Sequence, residues 1–383
     1  MKNKELRVAL VGLGTVGRGV YDILKEREEQ IAATLGRVKI VAVVVTERSR
    51  ERLQKELPEK VTTDLNSILD EVDVIMEATT SKEAGYEYMK AALEAGKSVI
   101  TANKSAVSAH FEELSALSRD RGGAFLFEAS VGGGIPLITP LRRILHTNDV
   151  DQIAAVLNGT CNYLLNRMYD EGAPYEAVLK DAQDLGYAEK DPTDDVEGLD
   201  TRRKLKILLA MGMGLVDEEE IPVKGISAIS DEIMNYAKNH GAKIKLVAQA
   251  HREEDGIAAS VGPVLLPDSH PLAILPGAVN ALRFTGNYLG DIQLEGPGAG
   301  KEPTGGAMVN DLMDLLTGAI YPLTERGPGK IVEEAAPFLV AGPLPVEHTQ
   351  SFEDGCTITV PMTETELKKQ IKEGAFYARV HQK

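Results

Sequence analysis

Cysteine is scarce in this 383-residue chain: Cys161 and Cys356 are the only two. Two thiols exclude a disulfide framework and fit a reducing compartment. Basic residues are also outnumbered, 42 Lys and Arg against 58 Asp and Glu, which gives a net charge of −16. That balance argues against bulk binding to nucleic acid or to an anionic membrane surface, yet a local basic pocket remains compatible with it. No run of about 18 apolar residues occurs, so no membrane-spanning helix is expected. The opening MKNKELRVALVGLG has no long apolar segment, so no signal peptide is expected either. Internal repeats and low-complexity tracts are absent. What is present is the composition of a soluble globular protein, 43% hydrophobic and 26% charged, long enough for two domains. A cytoplasmic enzyme is the expectation.

Short β-branched runs alternate with helical patterns in the first third. Leu6–Val11, Val38–Val45, Val72–Met76, Lys97–Thr101 and Ala124–Glu128 read as strands, with helices at Ala84–Ala95 and around Phe111–Arg121. This alternation predicts an α/β fold, a Rossmann-type doubly wound parallel sheet, over residues 1–130. The segment Ser130–Pro140, with three successive glycines and two prolines, marks a transition. Residues 131–305 then mix strands (Ile153–Leu157, Ile244–Ala250, Ile257–Val261) with helices (Tyr163–Asp170, Glu176–Leu185, Asp200–Met211, Asp231–His240). They read as an α+β substrate and dimerisation domain. A helix at Ala307–Leu316 falls in a stretch, 306–320, expected to return to the nucleotide domain. Residues 321–383 carry no readable motif.

Gly12-Leu13-Gly14-Thr15-Val16-Gly17 follows the first strand and opens a helix. In that context G-x-G-x-x-G predicts dinucleotide binding: one glycine for the turn, one for the approach of a pyrophosphate, one for helix–strand packing. The helix N-terminus adds N–H groups and partial positive charge. The second strand ends in Val45-Thr46-Glu47-Arg48-Ser49-Arg50. Two arginines and a threonine suit a 2′-phosphate and favour NADP. NAD stays possible, since Glu47 lies one position from the expected acid and Arg48 and Arg50 also read as ordinary surface charges.

Gly186–Lys204 reads GYAEKDPTDDVEGLDTRRK. Asp200 and Lys204 share a helix face with Ile207, Leu208 and Met211. A lysine on an apolar stripe needs a charged partner, and burial makes it a candidate proton donor and acceptor. The plainer reading is a surface ion pair worth about 0.3–0.5 kcal/mol. The nearby Glu189, Asp191, Asp194 and Asp195 point instead to a pocket for an amine-bearing substrate.

Taken together these segments resemble homoserine dehydrogenase over about residues 5–318. GLGTVG resembles its cofactor loop, Thr101-Ala102-Asn103-Lys104 its TANK motif, and Glu128–Pro136 (EASVGGGIP) its glycine-rich hinge. Asn158-Gly159-Thr160-Cys161-Asn162-Tyr163 is similar to its NGTTNY segment, Gly186–Lys204 to its substrate signature and GPGAGKEPTG to its late loop. The resemblance implies reversible hydride transfer between L-homoserine and L-aspartate 4-semialdehyde, in threonine, methionine and isoleucine synthesis. It implies Lys204 as acid/base, Lys104 as a second active-site lysine, and Asp200 as the group that holds Lys204 or the substrate ammonium. Glu189, Asp194, Gly159 and Thr160 would meet substrate. Gly12, Leu13, Gly14, Thr15, Val16, Gly17, Arg48, Thr79, Thr80, Lys104, Gly300 and Glu302 would meet cofactor. A monovalent cation, Na+, would lie on Glu128 and the carbonyls of Val131, Gly133 and Ile135; a simple flexible hinge without an ion is the other reading. The family also implies a homodimer or homotetramer.

Two residues depart from the family pattern. Cys161 stands where threonine is usual, which raises the reading of a thioester-forming aldehyde dehydrogenase, although the flanking Thr160 and Asn162 lack that enzyme's pattern. Lys190 adds a positive charge beside Glu189. The tail also lacks the strand–helix repeats of a regulatory ACT domain, so threonine feedback through one is not expected; Glu364–Lys372 reads as a dimer arm or a remnant. The alternatives are a related small-substrate oxidoreductase and a silent NAD(P)-binding sensor. The presence of both lysines favours an active enzyme.

Overall fold

In the computed structural model, which describes residues 5–381, the first apolar run becomes β1 (Glu5–Val11), with Val8, Ala9 and Val11 fully buried. It lies in a parallel sheet with β2 (Arg37–Val44), β3 (Lys60–Thr62), β4 (Val74–Glu77), β5 (Ser98–Thr101) and β6 (Phe125–Leu126), in the order β3-β2-β1-β4-β5-β6. Strand order reverses between β1 and β4, so their carboxyl ends frame the crevice in which such sheets bind ligands. Val11, Glu77 and Thr101 end level with one another in the register. Helices Thr15–Glu26, Glu47–Glu56, Lys82–Glu94 and Lys104–Arg121 make the crossovers. The last begins earlier than its periodicity suggests, because His110 is non-helical (φ −126°) and breaks the phase. The edge strand β3 and the charged helix Glu47–Glu56 escape the pattern because neither carries an apolar period.

The chain divides into two compact units, Met1–Thr147 with Pro297–Glu325, and Asn148–Gly296 with Arg326–Lys383. It thus changes unit three times, at positions different from the 130, 305 and 320 read from composition. The glycine-rich segment after 130 stays with the first unit. So does the helix Lys301–Thr317, whose Met308, Leu312 and Leu316 join that unit's core.

The second unit is built on a mixed sheet. β7 (Val150–Val156), β8 (Ala242–Glu253), β9 (Gly256–Pro267), β10 (Val279–Gly286) and β11 (Gly290–Pro297) form its antiparallel part. Helices Gly159–Glu171, Leu199–Gly212 and Asp231–Asn239 pack on β8. The tail, which shows no motif in sequence, supplies β12 (Ile331–Val332), β13 (Phe338–Ala341), β14 (Thr349–Glu353), β15 (Cys356–Thr359) and β16 (Tyr377–Val380). The order is β11-β10-β7-β8-β9-β16-β13-β15-β14, with β12 also on β9. Glu364–Lys368 is a short helix with a Thr363/Glu366 capping box. Its Leu367 is buried with Phe338, Val340, Met362 and Tyr377. The stretch expected as an arm or remnant is therefore part of this sheet's own core.

Candidate active site

In the first unit the three glycines of GLGTVG differ in what they require. Gly12 sits at φ +88°, and a Cβ there would meet Ala78 O at 2.9 Å. A Cβ on Gly17 would lie 2.1 Å from Gly12 O. A Cβ on Gly14 would meet nothing within 4 Å. The protein itself therefore does not demand glycine at 14; the open space is what an approaching pyrophosphate requires. Helix Thr15–Glu26 has no acidic residue in its first turn and no side chain on its cap. Its N–H groups are thus available to an anion; Thr15 and Val16 belong to that turn and Leu13 directly precedes its cap, Gly14. The residues fit a dinucleotide. Arg48 is exposed in the first turn of helix Glu47–Glu56, a position where the helix dipole opposes a cation. Lys301 Nζ reaches Asp22 at 2.7 Å, and a Cβ on Gly19 would strike Lys301 O at 2.5 Å, so Gly300 and Glu302 start a helix that lies against the dinucleotide helix.

At the ends of β4 and β5 a buried polar cluster surrounds Glu77, a residue sequence reading missed although it closes the apolar run VDVIME. Its carboxylate accepts from Thr79 N at 2.8 Å, from the Thr79 hydroxyl, and from Thr101 Oγ1 at 2.6 Å. Burial raises its pKa, while the hydrogen bonds from Thr101, Thr79 and Asn103 oppose that rise. Asn103 caps helix Lys104–Arg121 by accepting from Ala106 N at 3.1 Å. Thr79, Thr80 and Lys104 thereby follow the carboxyl ends of two neighbouring strands, β4 and β5.

The hinge loop carries Gly132 and Gly133 at φ +79° and +59°. The carbonyls of Val131, Gly133 and Ile135 accept no hydrogen bond from the described residues. Glu128 Oε1 accepts from Leu137 N and Ile138 N at 2.6 and 2.8 Å, and Oε2 from Thr139 N at 2.7 Å. A carboxylate offers about four lone-pair positions, so three unbonded carbonyls and the remaining position on Oε2 fit a cation of low charge. Asp311, buried below, accepts from Glu128 N at 3.0 Å and is raised well above the carboxylate range by burial.

In the second unit Lys204 is 8% exposed and Asp200 1%. Lys204 Nζ donates to Asp200 Oδ2 at 2.8 Å and to Leu157 O at 2.7 Å. Asn158 connects the surrounding groups. It caps helix Gly159–Glu171 by accepting from Cys161 N at 2.9 Å, and its Nδ2 donates to Asp195 Oδ1 at 2.7 Å and Asp200 Oδ2 at 3.0 Å. Its Asn-Gly setting before a helix signals a cap; the two aspartates, 37 and 42 residues away, could not be read from it. Gly159 has Ala278 O 2.9 Å from where a Cβ would sit. Thr160 Oγ1 donates to Tyr187 O at 2.7 Å, which places the segment leading to Glu189 at this helix start. Cys161 is wholly buried, donates to Asp195 O at 3.2 Å, and has its thiol pushed far up by burial. That is the setting of an inert structural thiol rather than a thiolate nucleophile. Glu189 and Lys190 are exposed, and their carbonyls accept from Gln183 Nε2 at 3.0 and 3.3 Å. Asp194 pairs with Arg203 at 2.6 Å. None of these three is bonded to the lysine cluster. A cavity of about 220 Å³ on the sheet of this unit, lined among others by Gln249, His251, His270 and Arg379, includes none of the expected site residues.

Comparison with known proteins places these motifs. The family "Homoserine dehydrogenase" matches residues 136–313, and "Homoserine dehydrogenase, NAD binding domain" matches residues 12–128. Homoserine dehydrogenase of Bacillus subtilis is 40% identical over 317 residues, 82% of this chain and 73% of that protein. The chain belongs to the homoserine dehydrogenase family. The enzyme is a nicotinamide-dependent oxidoreductase that interconverts L-homoserine and L-aspartate 4-semialdehyde, a step of threonine, methionine and isoleucine biosynthesis. The NAD(+)-dependent homoserine dehydrogenase of Pseudomonas canavaninivorans is 36% identical, over 81% of this chain and 96% of that one. A homoserine dehydrogenase structure from Thiobacillus denitrificans superposes with TM-score 0.88 at 30% identity, covering 99% of this chain and 98% of the other. Coverage that complete takes in the tail strands, whereas a putative homoserine dehydrogenase structure from Archaeoglobus fulgidus matches 81% of this chain with 99% of its own length. Among the described residues no helix is long and apolar enough to cross a membrane.

Proposed function

We propose that Lys204 carries the proton in this reaction, with NADP the preferred cofactor and NAD the alternative. The observation that supports it most is the setting of Lys204: nearly buried, held by one carboxylate and one carbonyl. Bound nicotinamide supplies or accepts the hydride. In reduction, the Lys204 ammonium gives a proton to the aldehyde oxygen as it gains electron density. In oxidation, the neutral amine takes the proton of the homoserine hydroxyl. Asp200 Oδ2, bonded at 2.8 Å, aims the amine. Asn158 holds Asp200 in turn. Lys104 is the second lysine of the reacting centre. Glu189, with Asp194 in support, receives the substrate ammonium, while Gly159 and Thr160 offer polar groups of the capped helix start.

For the cofactor, Gly12, Leu13, Gly14, Thr15, Val16 and Gly17 receive the pyrophosphate, and Thr79, Thr80, Gly300 and Glu302 flank it. Arg48 meets a 2′-phosphate, which would also neutralise a cation that its own helix opposes. Glu128 and the carbonyls of Val131, Gly133 and Ile135 would hold Na+, whose charge would brace the hinge; no proton or hydride passes through it. The chain works in the cytoplasm as a homodimer or homotetramer. The test is NADP- and NAD-linked oxidation of L-homoserine at alkaline pH, followed at 340 nm, for the native chain and Lys204→Ala. The variant should lose about a hundredfold or more in kcat while still binding NADP. Normal turnover would remove Lys204 from the mechanism.

A further inference from the structure

Glu77 lies at the carboxyl end of β4, level with Val11 and Thr101 on the strands either side. It has no exposed surface. Burying a carboxylate there is costly unless its lone pairs are used, and they are. Oε1 accepts from Thr79 N at 2.8 Å and from the Thr79 hydroxyl; Oε2 accepts from Thr101 Oγ1 at 2.6 Å. The Thr101 hydroxyl, having donated to Glu77, is oriented to accept from Asn103 N at 2.9 Å. The Asn103 side chain then donates to Ser81 O at 2.9 Å and Thr79 O at 3.3 Å and accepts from Ala106 N at 3.1 Å. No slack is available around it: a Cβ on Gly85 would come 2.3 Å from Asn103 Nδ2 and 3.1 Å from Glu77 Oε1. One carboxylate therefore ties the loop after β4 to the residue that starts helix Lys104–Arg121.

We propose that Glu77 is a positioning residue for hydride transfer, which fixes Lys104 through the relay Thr101–Asn103 and fixes the Thr79 loop directly. The inference rests on the assignment of Lys104 to the reacting centre. Glu77 touches neither substrate nor hydride; it sets the direction from which Lys104 leaves its helix cap. Thr101→Val isolates the relay. It keeps the shape of the side chain and the Glu77–Thr79 bonds but removes the link to Asn103. Glu77→Gln loosens the start of the relay, because an amide has one accepting oxygen where the carboxylate uses two, for Thr79 and for Thr101.

The experiment measures kcat, the Michaelis constant for homoserine, the Kd for NADP by fluorescence titration and the melting temperature of Thr101→Val, Thr101→Ser and Glu77→Gln. Each is also combined with Lys104→Ala. Expected for Thr101→Val is about a tenfold fall in kcat, the scale of a small misplacement, with the NADP Kd within about twofold of the native value. Glu77→Gln should lower kcat similarly. Thr101→Ser keeps the hydroxyl and should restore kcat. In the Lys104→Ala background Thr101→Val should cost almost nothing further, since it acts through that lysine, whereas Glu77→Gln keeps the part of its effect that runs through the Thr79 loop. Unchanged kcat in both variants, failure of serine to restore it, or full additivity of Thr101→Val with Lys104→Ala would each overturn the inference. If Lys104→Ala alone is fully active, the prior assignment fails instead, which separates the two.

Discussion

Replacing Lys245 with methionine should make this protein more stable in mild acid and less stable in mild alkali. Lys245 on β8 has no exposed surface. Its Nζ donates to Asn162 Oδ1 and Asn166 Oδ1, both at 2.7 Å, and to Leu275 O at 3.0 Å. No carboxylate is bonded to it. Desolvation, with a smaller contribution from Lys243 and against a weak opposing pull from Asp170, lowers its pKa from 10.5 to about 7. At ~1.4 kcal/mol per unit that shift is a charging cost of roughly 5 kcal/mol in the folded state. The folded pKa lies below the unfolded one. The penalty is therefore fully present below pH 7, relaxes as pH rises from about 7 to 10.5, and is gone above that. Methionine fills similar space and carries no charge. It leaves Asn166 Oδ1 without its donor, at about 1–3 kcal/mol. Asn162 Oδ1 and Leu275 O still receive Asn166 Nδ2, at 3.4 and 3.0 Å. The difference predicts Lys245→Met to be roughly 2–4 kcal/mol more stable at pH 6 and about 1–3 kcal/mol less stable near pH 10.5. Urea denaturation at pH 6, 8 and 10 would show the two stability curves crossing. A variant destabilised equally at every pH would show that Lys245 carries no charging cost, and would refute the reasoning.

Other perturbations test the cofactor and substrate groups. Gly17→Ala should destabilise the first unit by about 2 kcal/mol or more, because its Cβ would lie 2.1 Å from Gly12 O. Gly14→Ala should leave the melting temperature within a degree or two and weaken NADP binding by about tenfold; intact affinity would mean no phosphate reaches that loop. Arg48→Ala should raise the Kd for NADP by about tenfold and leave that for NAD alone, since only NADP has the 2′-phosphate; equal effects would return Arg48 to the surface. Glu189→Leu should mainly raise the Michaelis constant for homoserine, and an unchanged value would separate this exposed glutamate from the substrate.

Elements with a strong period or a fixed motif were legible. β1 and its glycine loop could be read because a parallel strand is apolar throughout and G-x-G-x-x-G needs that neighbour. The Asp200–Lys204 pair could be read because helical spacing places both on one face. The tail was not legible, since strands of two to five residues are too short to display alternation. Glu77 and Asn158 escaped for a different reason. Each lies in a readable segment, but its partners come from strands or helices distant in sequence, and only the fold brings Thr101 to one and Asp200 to the other. The resemblance offers Glu128 only as a proposed cation ligand; its capping of the helix start at Leu137–Thr139 could not be read, because it depends on a turn that glycines at positive φ create.

The way β9 is covered has a consequence for how this chain must be made. β9 is twelve residues long, and β8 protects one of its sides. Its other side is held at Val261 by the earlier segment Pro222–Lys224, but at its ends it is closed only by β12 at Ile257 and Ala258 and by β16 at Val264 and Leu265, two pieces about fifty residues apart in the tail. Until the ribosome has delivered residue 380, a long and largely apolar strand presents unpaired N–H and C=O groups, a template for another chain. The first unit is similarly incomplete until its helix Lys301–Thr317 arrives. Polypeptides released early, after the last family motif has been translated, would carry every residue of the proposed chemistry and still be prone to aggregate.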